Sequence, residues 1–245
     1  MTAAVDPAPV VPSSQRGGAA PTDARAGGAA GDKGVSALLM TAALAMVLTH
    51  WLRILPLGYR APGQTRWEDF ADLLTPYLVA GPLLAVLART GAGRRTWTAA
   101  LLGAALFVQG HGVHLSANSI SYAQGDAAPT YLWDEVVGHA LWFIGLTVLI
   151  LAVSHALRPL PITAGPVAAA ISVAVGGTWA VNVIEGGHVP LGAGLAAALV
   201  LQGWRTRSHA VGRLVAVAFS VSLLLVAVYG AWQRGFPQPS ELGWL

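Results

Sequence analysis

The sequence predicts an all-α polytopic membrane protein, a bundle of about seven transmembrane helices with a cytoplasmic N-terminus and an extracytoplasmic C-terminus. Three observations lead there. Charged residues make up 10% of the 245 and hydrophobic residues 55%, whereas soluble globular domains carry about 25% charge. Apolar runs recur along the chain after residue 34, each near the roughly 20 residues that a helix needs to cross a ~30 Å hydrocarbon core. The arginines gather in the short segments between those runs, as topology signals do, and form no continuous basic stripe of the kind that binds nucleic acid.

Residues 1–34 are rich in Ala, Gly, Pro and Ser with almost no large apolar side chains, too little surface to offset the entropy of ordering, and are expected to form a disordered cytoplasmic tail. The first apolar run, 35–55, exceeds the 7–15 residues of a secretory signal and is expected to stay in place as the first span. Further spans are expected at 71–90, 97–118, 132–155, 165–185, 188–204 and 211–233, separated by Gly, Pro or Arg. Residues 35–245 thus form one seven-helix domain. Between the fifth and sixth spans, Glu185-Gly186-Gly187-His188-Val189-Pro190 permits a tight turn or a kinked, broken helix, which leaves six or seven crossings open.

With seven spans, the tail and the loops after spans two, four and six share one side. That side holds Arg16, Arg25, Lys33, Arg89, Arg94, Arg95, Arg158, Arg205, Arg207 and Arg213, ten of the fourteen basic residues. The excess of Lys and Arg marks it as cytoplasmic. Arg53, Arg60, Arg66 and Arg234 fall on the other side. The expected location is the cell membrane, crossed several times.

The absence of cysteine excludes disulfides, thiolate metal ligands and a cysteine nucleophile together. Lysine occurs once, as Lys33 in the tail, so no span offers the amine that a retinal Schiff base requires.

Helical spacing gathers polar residues at one membrane face. In span three His111, His114 and Asn118 share a helix face; in span four Glu135, His139 and Trp142 do so, with Asp134 beside them; in span five Thr178, Asn182 and Glu185 follow the same pattern, and His188 lies three residues on. Span one adds His50. The topology brings all these stripes to the extracytoplasmic side, with five of the seven histidines and every acid outside the tail: Glu68, Asp69, Asp72, Asp126, Asp134, Glu135, Glu185 and Glu241. Ionisable groups inside membrane helices are costly, so a cluster calls for a partner, and a bound cation is one. Imidazole with carboxylate suits zinc or iron. The candidate metal ligands are therefore His111, His114, His139, His188 and His50, the candidate catalytic acids and bases are Glu135, Glu185 and Asp134, and Asn118, Asn182 and Asp72 are expected to line the same cavity. The competing account is a structural network of hydrogen bonds between helices.

Other polar residues have simpler explanations. Glu68 and Asp69 sit where span two begins and suit a helix N-terminus. His155 and His209 lie with arginines at the cytoplasmic ends, and Tyr229, Trp232 and Gln233 suit an interfacial belt. Ser116, Ser119 and Ser121 lack the strained Gly-x-Ser-x-Gly elbow of a serine nucleophile.

Seven helices with histidine and aspartate at one membrane face are similar in outline to the alkaline ceramidase and adiponectin-receptor group of intramembrane zinc hydrolases. The similarity rests on topology and on His111, Asp134 and Glu135; span seven here lacks the histidines which that group carries near the end of its chain. It implies that such an architecture can hold a hydrolytic metal.

The expected function is a metal-dependent membrane enzyme, most simply a zinc hydrolase in which His111, His114 and His139 or His188 hold the ion and Glu135 or Glu185 serves as general base. Its substrate is expected to be a lipid or another amphiphile reached from the extracytoplasmic leaflet. The alternatives are a non-haem di-iron oxidase or desaturase, for which Glu185-x-x-His188 resembles half of a carboxylate-bundle motif, and a non-enzymatic transporter or sensor that binds metal, protons or haem.

Overall fold

The computed structural model describes residues 23–51, 65–125 and 127–244, and every regular element in it is helical. Arg53, Arg60 and Asp126 lie outside the described residues, as does the tail up to residue 22. Helix α1 runs Asp23–His50, beginning inside the stretch read from sequence as tail. Then follow α2 (Trp67–Asp72), α3 (Thr75–Thr90), α4 (Arg94–Gln124) and the short α5 (Ala128–Tyr131). A π-helical segment, Leu132–Gly138, leads into α6 (His139–Ala156). Helices α7 (Pro166–Glu185), α8 (Val189–Arg205) and α9 (Ala210–Gln233) complete the bundle.

Six of these helical stretches are long and apolar enough to cross a membrane. Helix α8, 17 residues long, or about 26 Å at 1.5 Å per residue, stands at the short limit for a span, so the count is six or seven. The expected boundaries hold to within a few residues in most places, since a span in lipid must be both apolar and internally hydrogen-bonded.

The ambiguous junction is a tight turn. Gly187 adopts φ 65°, its N–H donates to the Ile184 carbonyl, and the His188 N–H donates to the Val183 carbonyl at 3.1 Å. This double bond pattern around a left-handed glycine is a Schellman stop. Helix α7 therefore ends at Glu185, and Glu185 and His188 do not share one helix.

Close packing is set by small residues. A Cβ added at Gly110 would stand 2.3 Å from the Trp142 backbone nitrogen, and one at Gly145 would stand 2.3 Å from that of Phe107. Gly103 faces Leu149 and Gly138 faces His114 in the same way. The pairs Gly103/Gly110 and Gly138/Gly145 each repeat at seven residues, two helical turns, so α4 and α6 touch backbone to backbone along one seam. That seam brings the histidines of α4 beside the start of α6. Helix α9 packs against both α7 and α8, and Trp179 in the core stacks edge-on against Phe219.

Candidate metal centre

Local sequence chemistry aims each side chain. Pro76 has no N–H and so cannot bond the Asp72 carbonyl four residues back, which breaks the second span into α2 and α3. His111 fills the gap, its Nε2 donating to the Asp72 carbonyl at 2.9 Å, with the Asp72 carboxylate at 3.5 Å. Asp72 also accepts from Thr75 Oγ1.

The π-helical segment changes which acid of the Asp134-Glu135 pair faces the site. In a regular α-helix Glu135 and His139 would pair at four residues, whereas i→i+5 bonding brings Asp134 round as well. Asp134 is buried, and its carboxylate meets His114 Nδ1 in a close contact. His139, also buried, donates from Nδ1 to the Asp134 carbonyl at 3.1 Å, with Glu135 Oε2 at 3.3 Å. His114, Asp134 and His139 each offer a donor atom, and these lie within 4.8 Å of one another. The rings of His114 and His139 are 4.4 Å apart between centroids.

The remaining expected residues surround this trio at different distances. The His188 ring centroid lies 5.6 Å from that of His139, and the His188 Nδ1–H donates to the Gly186 carbonyl at 2.7 Å. The His111 ring lies 6.4 Å from His114. Asn182 bonds the Thr178 carbonyl and stands 3.4 Å from His50 Nε2. His50, Asp72, His111, His114, Asn118, Glu135, His139, Asn182 and Glu185 all line one cavity of about 200 Å³. His188 and Asp134 are not in its lining; Asp134 stands behind His114.

Two features of the cavity were not anticipated. Arg66, Glu68 and Asp69 form part of its wall. Asp69 accepts from the Arg66 backbone N–H at 3.3 Å, as the helix-start reading expects, and also pairs with the Arg66 guanidinium at 2.9 Å; Glu68 pairs with it at 3.1 Å. The second feature is the segment after α9, which folds back over the cavity. Ser240 N–H donates to Glu185 Oε2 at 3.1 Å, Tyr229 O–H donates to the Pro237 carbonyl at 2.7 Å, and Trp244 stacks on Trp232. Gln238 and Ser240 reach the cavity wall. No polar pattern in 234–244 signals this; the aromatic residues Tyr229, Trp232 and Trp244 are its one trace in the sequence.

Five carboxylates, those of Glu68, Asp69, Asp72, Glu135 and Glu185, and one guanidinium, that of Arg66, line the cavity. Its electrostatics favour a cation. The donor set of His114, Asp134 and His139 fits a small divalent ion, which zinc sites take with two or three imidazoles and a carboxylate. Comparison with known protein families, curated proteins and solved structures finds no match to the chain.

Proposed function

We propose that the protein is a membrane-embedded, metal-dependent enzyme whose ion site is built by His114, Asp134 and His139, and that it hydrolyses a lipid or another amphiphile. The observation that carries the reading is the convergence of those three donors within 4.8 Å, with His114 and His139 in the wall of an acidic cavity and Asp134 behind them. Further support comes from the way the imidazoles are held. His114 Nδ1 faces the Asp134 carboxylate and His139 Nδ1 faces the Asp134 carbonyl. An Nδ1–H given to an oxygen leaves Nε2 as the nitrogen that can ligate, the arrangement in which second-shell oxygens orient metal-bound histidines. In this arrangement Asp134 stands behind His114 and orients its ring, and the two imidazoles are the direct donors.

Bound zinc supplies Lewis acidity and a water acidic enough to give up a proton near neutral pH. Glu135, 3.3 Å from His139, is the carboxylate placed to take that proton, and Glu185 lines the same cavity. Asn118 and Asn182 offer neutral donors to a polar substrate group in that wall. The di-iron alternative has less support, because its Glu-x-x-His element needs Glu185 and His188 on one helix and the Gly186-Gly187 stop separates them.

Elemental analysis of the detergent-purified protein tests the reading. About one metal ion per chain is expected, with zinc rather than iron, and it should be lost in a variant carrying His114→Ala and His139→Ala. A folded wild type that holds no metal and takes up none on re-addition overturns it and leaves a network of polar groups that packs the helices.

A further inference from the structure

At the opposite end of the bundle from the candidate metal centre, Arg205 at the end of α8, Arg207 in the loop to α9 and Arg213 in the start of α9 surround one open cleft of about 740 Å³. We propose that this cleft is a binding site for an anionic phospholipid, with Arg205, Arg207 and Arg213 on the phosphate and Trp204 and Val217 on the lipid's apolar part.

The loop is built and held. Glycine at 212 lets the first turn of α9 meet Thr206, whose backbone oxygen would lie 2.3 Å from an added Cβ, and Gly203 meets Ala216 similarly. Thr206 is buried, and its hydroxyl donates to the Gln202 carbonyl at 2.8 Å. On this frame Arg213 Nη1 donates to the carbonyls of Arg207 at 3.1 Å and Ser208 at 3.4 Å, and Arg207 Nη1 donates to the Trp204 carbonyl at 3.2 Å. The Arg207 guanidinium also sits 4.5 Å above the Trp204 ring, a cation–π arrangement. Two guanidiniums are thus oriented in advance, with further N–H groups to offer.

Among the described residues these charges have no carboxylate partner. The sequence has no Asp or Glu between Glu185 and Glu241, and no ion pair among the described residues includes Arg205, Arg207 or Arg213. Three like charges on one cleft call for an anion, and the planar guanidinium fork matches phosphate oxygens. The general excess of arginine at this end accounts for their number, but not for their convergence on one cleft beside an indole.

The apolar wall selects a lipid over a free anion. Trp204 is 60% exposed and Val217 41% exposed; Val217 lies on α9, which is long and apolar enough to span a membrane, and Trp204 ends the apolar α8, so an open apolar surface stands beside the arginines. A ligand that meets arginines at the loop and an apolar wall one turn further along α9 is an amphiphile with an anionic head. Basic residues near a bilayer surface attract anionic lipid additively, and three of them predict a preference on the order of 10–100-fold for phosphatidylglycerol over phosphatidylcholine.

The test is native mass spectrometry of the full chain from detergent, titrated with phosphatidylglycerol, phosphatidylcholine or inorganic phosphate. One retained phosphatidylglycerol is expected, at least about 10-fold preferred over phosphatidylcholine. It should be weakened about 10-fold by Arg207→Gln with Arg213→Gln and left unchanged by Arg94→Gln with Arg95→Gln, which removes equal charge from the start of α4. Arg205→Gln, at an exposed residue outside the loop's internal hydrogen bonds, supplies a variant that does not disturb folding, and it too should weaken binding. An equal loss in the Arg94/Arg95 variant would reduce the site to diffuse charge. Inorganic phosphate that competes as well as the lipid, or no preference between the two lipids, overturns the proposal.

Discussion

Pro76 illustrates how one residue without an N–H shapes a site thirty-odd positions away in sequence. It leaves the Asp72 carbonyl open, and His111 takes it. With His111 committed there, His111→Ala is expected to keep most of the metal, whereas His114→Ala or Asp134→Asn should lower metal affinity by about 10–100-fold or more; titration of metal into the chelator-treated protein distinguishes these outcomes. Glu135→Gln should leave metal content intact, because Glu135 stands outside the convergent trio. Spacings of three and four residues were enough to nominate His111, His114, Glu135 and His139 from the sequence, since those spacings repeat the α-helical turn. Spacing does not single out Asp134, because the π-helical segment, which turns Asp134 towards His114, has no residue signature of its own.

The α4–α6 seam depends on hydrogen atoms standing where side chains would otherwise be. Gly110→Ala and Gly145→Ala each place a Cβ 2.3 Å from a backbone nitrogen of the facing helix, so the helices must part; overpacking of this kind costs about 1–3 kcal/mol. Gly112 lies on the same helix with nothing within 4 Å of its would-be Cβ, and Gly112→Ala should be neutral or stabilising by about 0.5–1 kcal/mol. Thermal unfolding in detergent should separate the two classes, and a destabilised Gly112→Ala beside unaffected seam variants would show that the seam is misassigned. The segment after α9 makes a second prediction at this scale. Ser240→Pro removes the N–H that Glu185 accepts and should raise hydrogen exchange in 234–244 with little change in the core. The helix stop at Gly186-Gly187 could be read in part beforehand, because glycine pairs mark turns. The seam glycines carried the same kind of signal in their seven-residue spacing, but spacing alone does not name the facing helix.

At the scale of the whole molecule, hydropathy made the spans legible because lipid offers no partner to a bare backbone, so each crossing must be a continuous apolar helix. The spatial gathering of histidines followed from topology, as the ends of odd spans and the starts of even ones meet at one membrane face. Helix α8 decides whether that count is odd. Its 17 residues are at the short limit, and it is followed by the arginine loop. The chain has no cysteine, so single cysteines placed at Gly93, Gly187 and Ser208 can be labelled with a membrane-impermeant maleimide without background. Seven spans require Gly93→Cys and Ser208→Cys to react from the same side and Gly187→Cys from the other, and the basic excess of the first two loops predicts that their side is the cytoplasm. If Gly187→Cys and Ser208→Cys react from one side, α8 does not cross, the count is six, and both chain ends lie on one side of the membrane. The convergent His114, Asp134 and His139 would survive that outcome, since α4, the π-helical segment and α6 hold them without α8.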